Sequence, residues 1–207
     1  MRVLLTNYSL ENRGGSELYV AEVANWLRSQ GHVPLVYSAR PGPLAAEIRR
    51  RAIPVVEDLT RLAEAPDLIH GQHHLATMTA LERFPDTPAV YFCHGWLPWE
   101  ESPPRHPAIR RYVAVSGATR ERLVSENGIA PDRVRVLPNF VDMDRFRKRG
   151  PLPRVPGRAL VSNQTNGCDW VKVVRAACAA RGITLDVAGH GAGGRSTLPR
   201  RTCGTTT

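Results

Sequence analysis

Short apolar runs recur along this chain, and each is followed by a polar or glycine-bearing loop and then by a segment of helical period. This alternation limits the fold more than any other feature. Apolar runs without alternation suit strands buried on both faces, and strands separated by helices suit a mainly parallel sheet with helices on either side. The first run covers residues 2–6. A helix is expected from Glu17 to about Gln30, capped by Ser16 and closed by Gly31. Further strands are expected over 33–38, 53–56, 67–70, 88–93, 112–115 and 134–137. Helices are expected from Pro43 to Arg51, over 75–84 and over 117–127. Residues 1–146 thus read as one doubly wound α/β domain.

The stretch 147–157 is rich in Pro, Gly and Arg and reads as a linker. A new cycle follows it: strand 159–162, helix 169–181 ending at Gly182, and strand 184–188. From Ala192 to Thr207 the chain shows neither period. Residues 158–207 are therefore expected to form the first strand–helix–strand of a second, incomplete domain with an irregular basic tail.

Composition narrows the function classes. No segment approaches the length of apolar chain that spans a bilayer, about 18 residues. The N-terminus turns polar by Asn7 and reads as a strand, not a signal peptide. Cys93, Cys168, Cys178 and Cys203 form no CxxC pair, so neither a zinc site nor a disulfide framework is expected, and a cytoplasmic setting is. Residues 1–100 hold 9 Arg/Lys against 11 Asp/Glu, whereas residues 101–207 hold 19 against 8. Such a basic half is either a solvated arginine-rich face or an attractor of anions, including an anionic membrane surface met peripherally. Its cations are scattered without interleaved aromatics, so no specific nucleic-acid partner is expected.

Parallel sheets of this kind bind ligands beyond the carboxyl ends of their strands. Gly14 and Gly15 stand between the first strand and the first helix. They suit either a phosphate cradle at a helix N-terminus or a plain turn. Neither GxGxxG nor GxxxxGK[ST] is present. His70, His73 and His74 cluster at the end of the fourth strand, but no carboxylate or cysteine stands at metal-ligand spacing. His70 is a candidate to line the cleft. His94 ends an apolar strand, precedes Gly95 and opens a Trp/Pro loop, so a titratable group is expected at the crevice. Trp96 and Trp99 either stack on a ligand or seal the loop. Ser116 either meets a ligand or, more in keeping with Ser-Gly-Ala-Thr, caps a helix. Asn139 either faces the cleft or builds a turn. No GxSxG elbow surrounds any serine.

Taken in order, Arg13-Gly14-Gly15-Ser16-Glu17, Gly31-His32-Val33, Asp67-Leu68-Ile69-His70, Cys93-His94-Gly95, Val113-Ala114-Val115-Ser116 and Leu137-Pro138-Asn139-Phe140-Val141-Asp142 resemble the retaining family four glycosyltransferases of GT-B fold. Residues 158–191 resemble, more weakly, the opening of that family's second domain. The resemblance implies two Rossmann-like domains, an acceptor-side first and a donor-binding second, and transfer from a nucleotide-sugar donor with retention. It implies no cofactor and no required metal. It sets Gly15, with Gly14, near the donor diphosphate, His94 near the transferred sugar as the catalytic residue, and Ser116 and Asn139 as residues shaping the cleft.

The chain departs from the family's pattern in three places. Phe140 stands where the family commonly has Gly. The loop Ser162–Asp169 lacks the phosphate-clamping Arg and Lys, and the later paired-glutamate segment is absent. These departures lead to the expectation that the 207-residue chain alone transfers little sugar. Two other readings stay open on the sequence: a non-catalytic α/β binding module and a basic nucleic-acid-binding protein.

Overall fold

The computed structural model describes residues 1–95, 99–162 and 169–188. Two compact units divide the chain, Met1–Val141 and Asp142–Thr207.

The first unit is a run of strand–helix cycles. In chain order it comprises β1 (Arg2–Thr6), α1 (Gly15–Ser29), β2 (Val33–Tyr37), α2 (Pro43–Arg50), β3 (Val55–Val56), β4 (Leu68–Gly71), α3 (His74–Arg83), β5 (Ala89–Cys93), β6 (Ile109–Ala114), α4 (Gly117–Ser125) and β7 (Val134–Val136). Short 3-10 turns occupy Leu59–Arg61, Trp99–Glu101 and Pro131–Arg133. The seven strands form one sheet in the order β3-β2-β1-β4-β5-β6-β7, and every neighbouring pair is parallel. The chain winds outward from β1 through β2 to β3, then returns to the other side of β1 at β4. That reversal opens a crevice at the carboxyl ends of β1 and β4.

Alternating side chains send each strand into two cores. Val3 and Leu5 pack with Val20, Ala21 and Ala24 of α1 and with Leu44, Ala45 and Ile48 of α2. Leu4 points the other way, into a core with Ala76, Ala80 and Leu81 of α3 and Leu123 of α4. One sheet is thus covered on both faces, which is why its strands are apolar throughout.

Several element ends differ from the sequence expectation. Helix α1 starts at Gly15, not after a Ser16 cap. Gly14 is extended (φ −75°, ψ 178°) and its carbonyl accepts the Leu18 N–H at 3.1 Å, while the Ser16 hydroxyl donates to the Glu17 carboxylate at 2.9 Å. The expected strand over 53–56 shrinks to Val55–Val56, because the Ile53 N–H turns back to the Ile48 carbonyl and Pro54 has no N–H to pair. Strand β6 begins earlier than expected, at Ile109. Exposed Arg110 and Arg111 hide it from a hydropathy reading, but its backbone pairs with β5 from Ala89 onward.

In the second unit, β8 (Arg158–Ser162) and β9 (Thr184–Ala188) pair in parallel, with α5 (Asp169–Ala179) between them in the chain. The Arg158 guanidinium donates from Nε and Nη2 to Asp186 Oδ2 at 3.2 and 2.8 Å, across neighbouring strands. Among the described residues no helix is long and apolar enough to cross a membrane.

Candidate functional site

The crevice is built on a rigid floor of small polar groups. Thr6 ends β1 and lies fully buried. Its hydroxyl donates to the Gln72 carbonyl at 2.9 Å and accepts the Gln72 N–H at 2.9 Å. From α3, the Thr77 hydroxyl donates to the same carbonyl at 3.2 Å. Gly71 admits this approach because it has no side chain: a Cβ there would lie 2.6 Å from Thr77 Cγ2. The backbone leaving β4 is thereby pinned to both β1 and α3.

On this floor stands His94, the residue that follows β5. Its Nε2 lies 2.8 Å from Oε1 of Gln72, a residue with no exposed surface. The amide oxygen can only accept, so the His94 Nε2–H donates. Burial pushes the ionisation of His94 below its ordinary range. The Glu101 charge pulls the other way without reversing the shift. Burial thus favours the neutral ring. The Tyr19 ring from the second turn of α1 meets His94 edge-on at 4.7 Å. Tyr19 also touches the rings of His70 at 5.8 Å, Phe92 at 5.7 Å and Phe140 at 5.6 Å. Its own hydroxyl resists ionisation because of burial.

A second histidine is held from both ends of its ring. The Tyr8 N–H donates to His73 Nδ1 at 3.0 Å, which puts the ring proton on Nε2. That Nε2 faces Glu101 Oε1 at 3.4 Å, and Glu101 Oε2 accepts the backbone N–H of His94 at 3.2 Å. Burial raises the Glu101 carboxyl, but the hydrogen bonds from His73 and from the His94 N–H outweigh burial, so the net shift is downward. His73 adopts φ +60°, ψ 133°, a backbone region that costs a non-glycine residue about 1–3 kcal/mol. The contacts to Tyr8 and Glu101 sit at both ends of its ring and hold it there.

The other sequence candidates fall into distinct places. His70 lies within β4, buried, and stacks on Phe92 with ring centres 4.1 Å apart and planes 13° apart. It underlies Tyr19 rather than lining an open wall. Gly14 caps α1 and Gly15 is its first residue, where a side chain would meet no atom within 4 Å. The Glu17 carboxylate folds back over Gly14: a Cβ there would lie 2.5 Å from Glu17 Oε2. Ser116 caps α4, its Oγ accepting the Thr119 N–H at 3.1 Å. Asn139 is exposed beside Phe140. Trp99 is 58% exposed at the start of the 3-10 turn that ends in Glu101. Trp96 lies outside the described residues. Among the described residues no group of His, Cys, Asp and Glu is arranged to hold a metal ion.

Sequence reasoning missed Gln72, Tyr19 and Glu101. Gln72 carried one usable signal: like His94, it follows an apolar strand at a carboxyl end. Tyr19 and Glu101 reach the site only through the packing of α1 and the return of a loop, which leave no local mark.

Residues 13–145 match Glycosyltransferase Family 4. Among solved structures, the chain is similar to a glycosyltransferase from Rickettsia africae ESF-5, with a TM-score of 0.66 and 15% identity over 92% of this chain and 68% of that one. It is similar to Anabaena Alr3699/HepE, solved in complex with UDP and glucose, with a TM-score of 0.55 and 16% identity over 91% of this chain and 69% of that one. It is also similar to the apo form of the lipopolysaccharide outer core galactosyltransferase WaaB, with a TM-score of 0.57 and 12% identity over 91% and 68%. At these identities the likeness is one of fold. No curated protein matches the chain.

Proposed function

The chain belongs to glycosyltransferase family 4, and from that premise we propose that it transfers a sugar from a nucleotide-sugar donor to an acceptor, with retention, at the crevice floored by β1, β4 and β5. The observation that carries this reading is the His94–Gln72 pair at 2.8 Å, seated where the strand order reverses. A neutral imidazole, oriented by a buried amide and walled by Tyr19, suits a reacting centre where charge develops in a water-poor site. The HepE relative, bound to UDP and glucose, supports the donor class.

In this reading the α1 N-terminus offers backbone N–H groups to the donor diphosphate, next to Gly14 and Gly15. The Glu17 carboxylate covers that position and must turn away when an anion arrives. Glu101 and His73 keep the backbone of His94 in place. His70 and Phe92 support Tyr19 from beneath, and Trp99, Ser116 and Asn139 shape the rim.

The test is steady-state transfer by the wild type and His94→Ala over a panel of nucleotide sugars. His94→Ala is expected to lower kcat by about 10²–10³, the usual cost of losing one oriented polar group in a closed site, while the protein still folds with a lowered Tm. Equal turnover in the two proteins would overturn the assignment.

A further inference from the structure

Gln72 is buried completely, yet its side chain has one hydrogen-bonding task. Its Oε1 meets His94 Nε2, while its Nε2 has no partner among the described residues. A buried amide nitrogen without a partner is destabilising, because it has given up its hydrogen bonds to water. The fold bears that cost at a residue whose backbone is fixed from two sides, by the Thr6 and Thr77 hydroxyls. Gly71 lets Thr77 close onto it. The result is a side chain rooted at one place beneath His94, with its amide oxygen turned to the ring.

A neutral imidazole carries a single N–H, and the nitrogen that bears it is set by the partner of the ring. A carboxylate at this position would also hold Nε2–H, but it would draw a second proton onto the ring. A neutral amide fixes the tautomer without adding charge. Burial already disfavours a charge on the ring. Of the groups facing it, Glu101 favours the cation without reversing that preference, His73 supplies no negative charge, and Tyr19 from α1 and His70 from β4 are neutral near pH 7.

We propose that Gln72 is a positioning residue that locks His94 as a neutral ring protonated on Nε2, so that Nδ1 meets the ligand as a hydrogen-bond acceptor. Such a ring accepts a hydrogen bond from a ligand hydroxyl and does not donate to a phosphate oxygen. The consequence for transfer rests on the sugar-transfer reading of this site; the tautomer itself does not.

Imidazole nitrogen-15 spectra of the full chain test this without any substrate. At pH 7 the His94 signals should show a protonated Nε2 and an unprotonated Nδ1. Gln72→Met, of similar length but without the amide, should give a mixture of the two tautomers. Gln72→Glu should raise the His94 ionisation by about one to three pH units, because a carboxylate now faces Nε2. It should also displace the acid limb of any transfer profile by the same interval. Gln72→Glu keeps the shape of the side chain and serves as the folded control should Gln72→Met prove unstable. A wild-type ring protonated on Nδ1 would overturn the proposal, since the amide would then be presenting its nitrogen. An unmoved His94 titration in Gln72→Glu would overturn it too. Loss of transfer with the wild-type tautomer intact would count against the sugar-transfer reading and not against Gln72 as the tautomer's source.

Discussion

His70 lies face to face with Phe92 and is cut off from solvent, so protonating it would set a charge inside an apolar stack. Burial pushes its ionisation from the ordinary 6.5 down to about 4. Between these values the unfolded chain binds the proton and the folded chain refuses it. Stability is therefore full above pH 6.5 and falls as the pH drops toward 4, by about 3 kcal/mol for a shift of this size. Burial of His94 acts in the same direction, and Glu101, whose carboxyl is lowered in the fold, adds a further loss in stronger acid. Urea unfolding should accordingly show a lower midpoint at pH 4.5 than at pH 7. His70→Phe, which keeps the stack and removes the titration, should erase most of the difference; an equal fall in the variant would assign the effect elsewhere. At this scale the sequence was informative where chemistry and chain position coincide. His94 stood out because a titratable residue directly followed an apolar strand and preceded Gly95. Gln72 and Glu101 did not, because their meeting with His94 depends on β4 lying beside β5 and on the backbone after β5 folding back as far as Glu101.

Helix α2 ends in a way its sequence does not advertise. Ala52 adopts φ +54°, a conformation that usually falls to glycine, and its N–H closes onto the Arg49 carbonyl at 2.9 Å. The left-handed region costs an L-residue about 1–2 kcal/mol, part of which a glycine loses again through its freer unfolded chain. Ala52→Gly should therefore stabilise the protein by about 0.5–1 kcal/mol, read as a higher urea midpoint with an unchanged slope. A lower midpoint would show that the Ala52 methyl contributes packing that outweighs the strain. Element positions were legible because apolar runs and their helical successors are local patterns. Element ends were less so. The start of α1 moved to Gly15 because a backbone carbonyl, not the Ser16 hydroxyl, takes the first helical bond. Strand β6 began at Ile109 because ladder pairing carried it through two exposed arginines.

Across the whole molecule, a parallel sheet with helices on both faces followed from the strand–helix rhythm, but its strand order did not. The rhythm is the same whether the fourth strand joins β3 or returns to β1. Leu4 and Leu5 are both fully buried, one in each core, so β1 occupies the centre of the sheet and the return to it places the crevice. That return brings the residues after β1, β4 and β5 together at the crevice where the proposed transfer would take place. The most direct measurement of the central claim follows the anomeric carbon of a carbon-13-labelled nucleotide sugar incubated with the protein and a panel of acceptors. The account predicts nucleoside diphosphate release matched mole for mole by a glycosylated acceptor that keeps the donor's anomeric configuration, with both signals lost in His94→Ala. An inverted product, or transfer undiminished in His94→Ala, would contradict it.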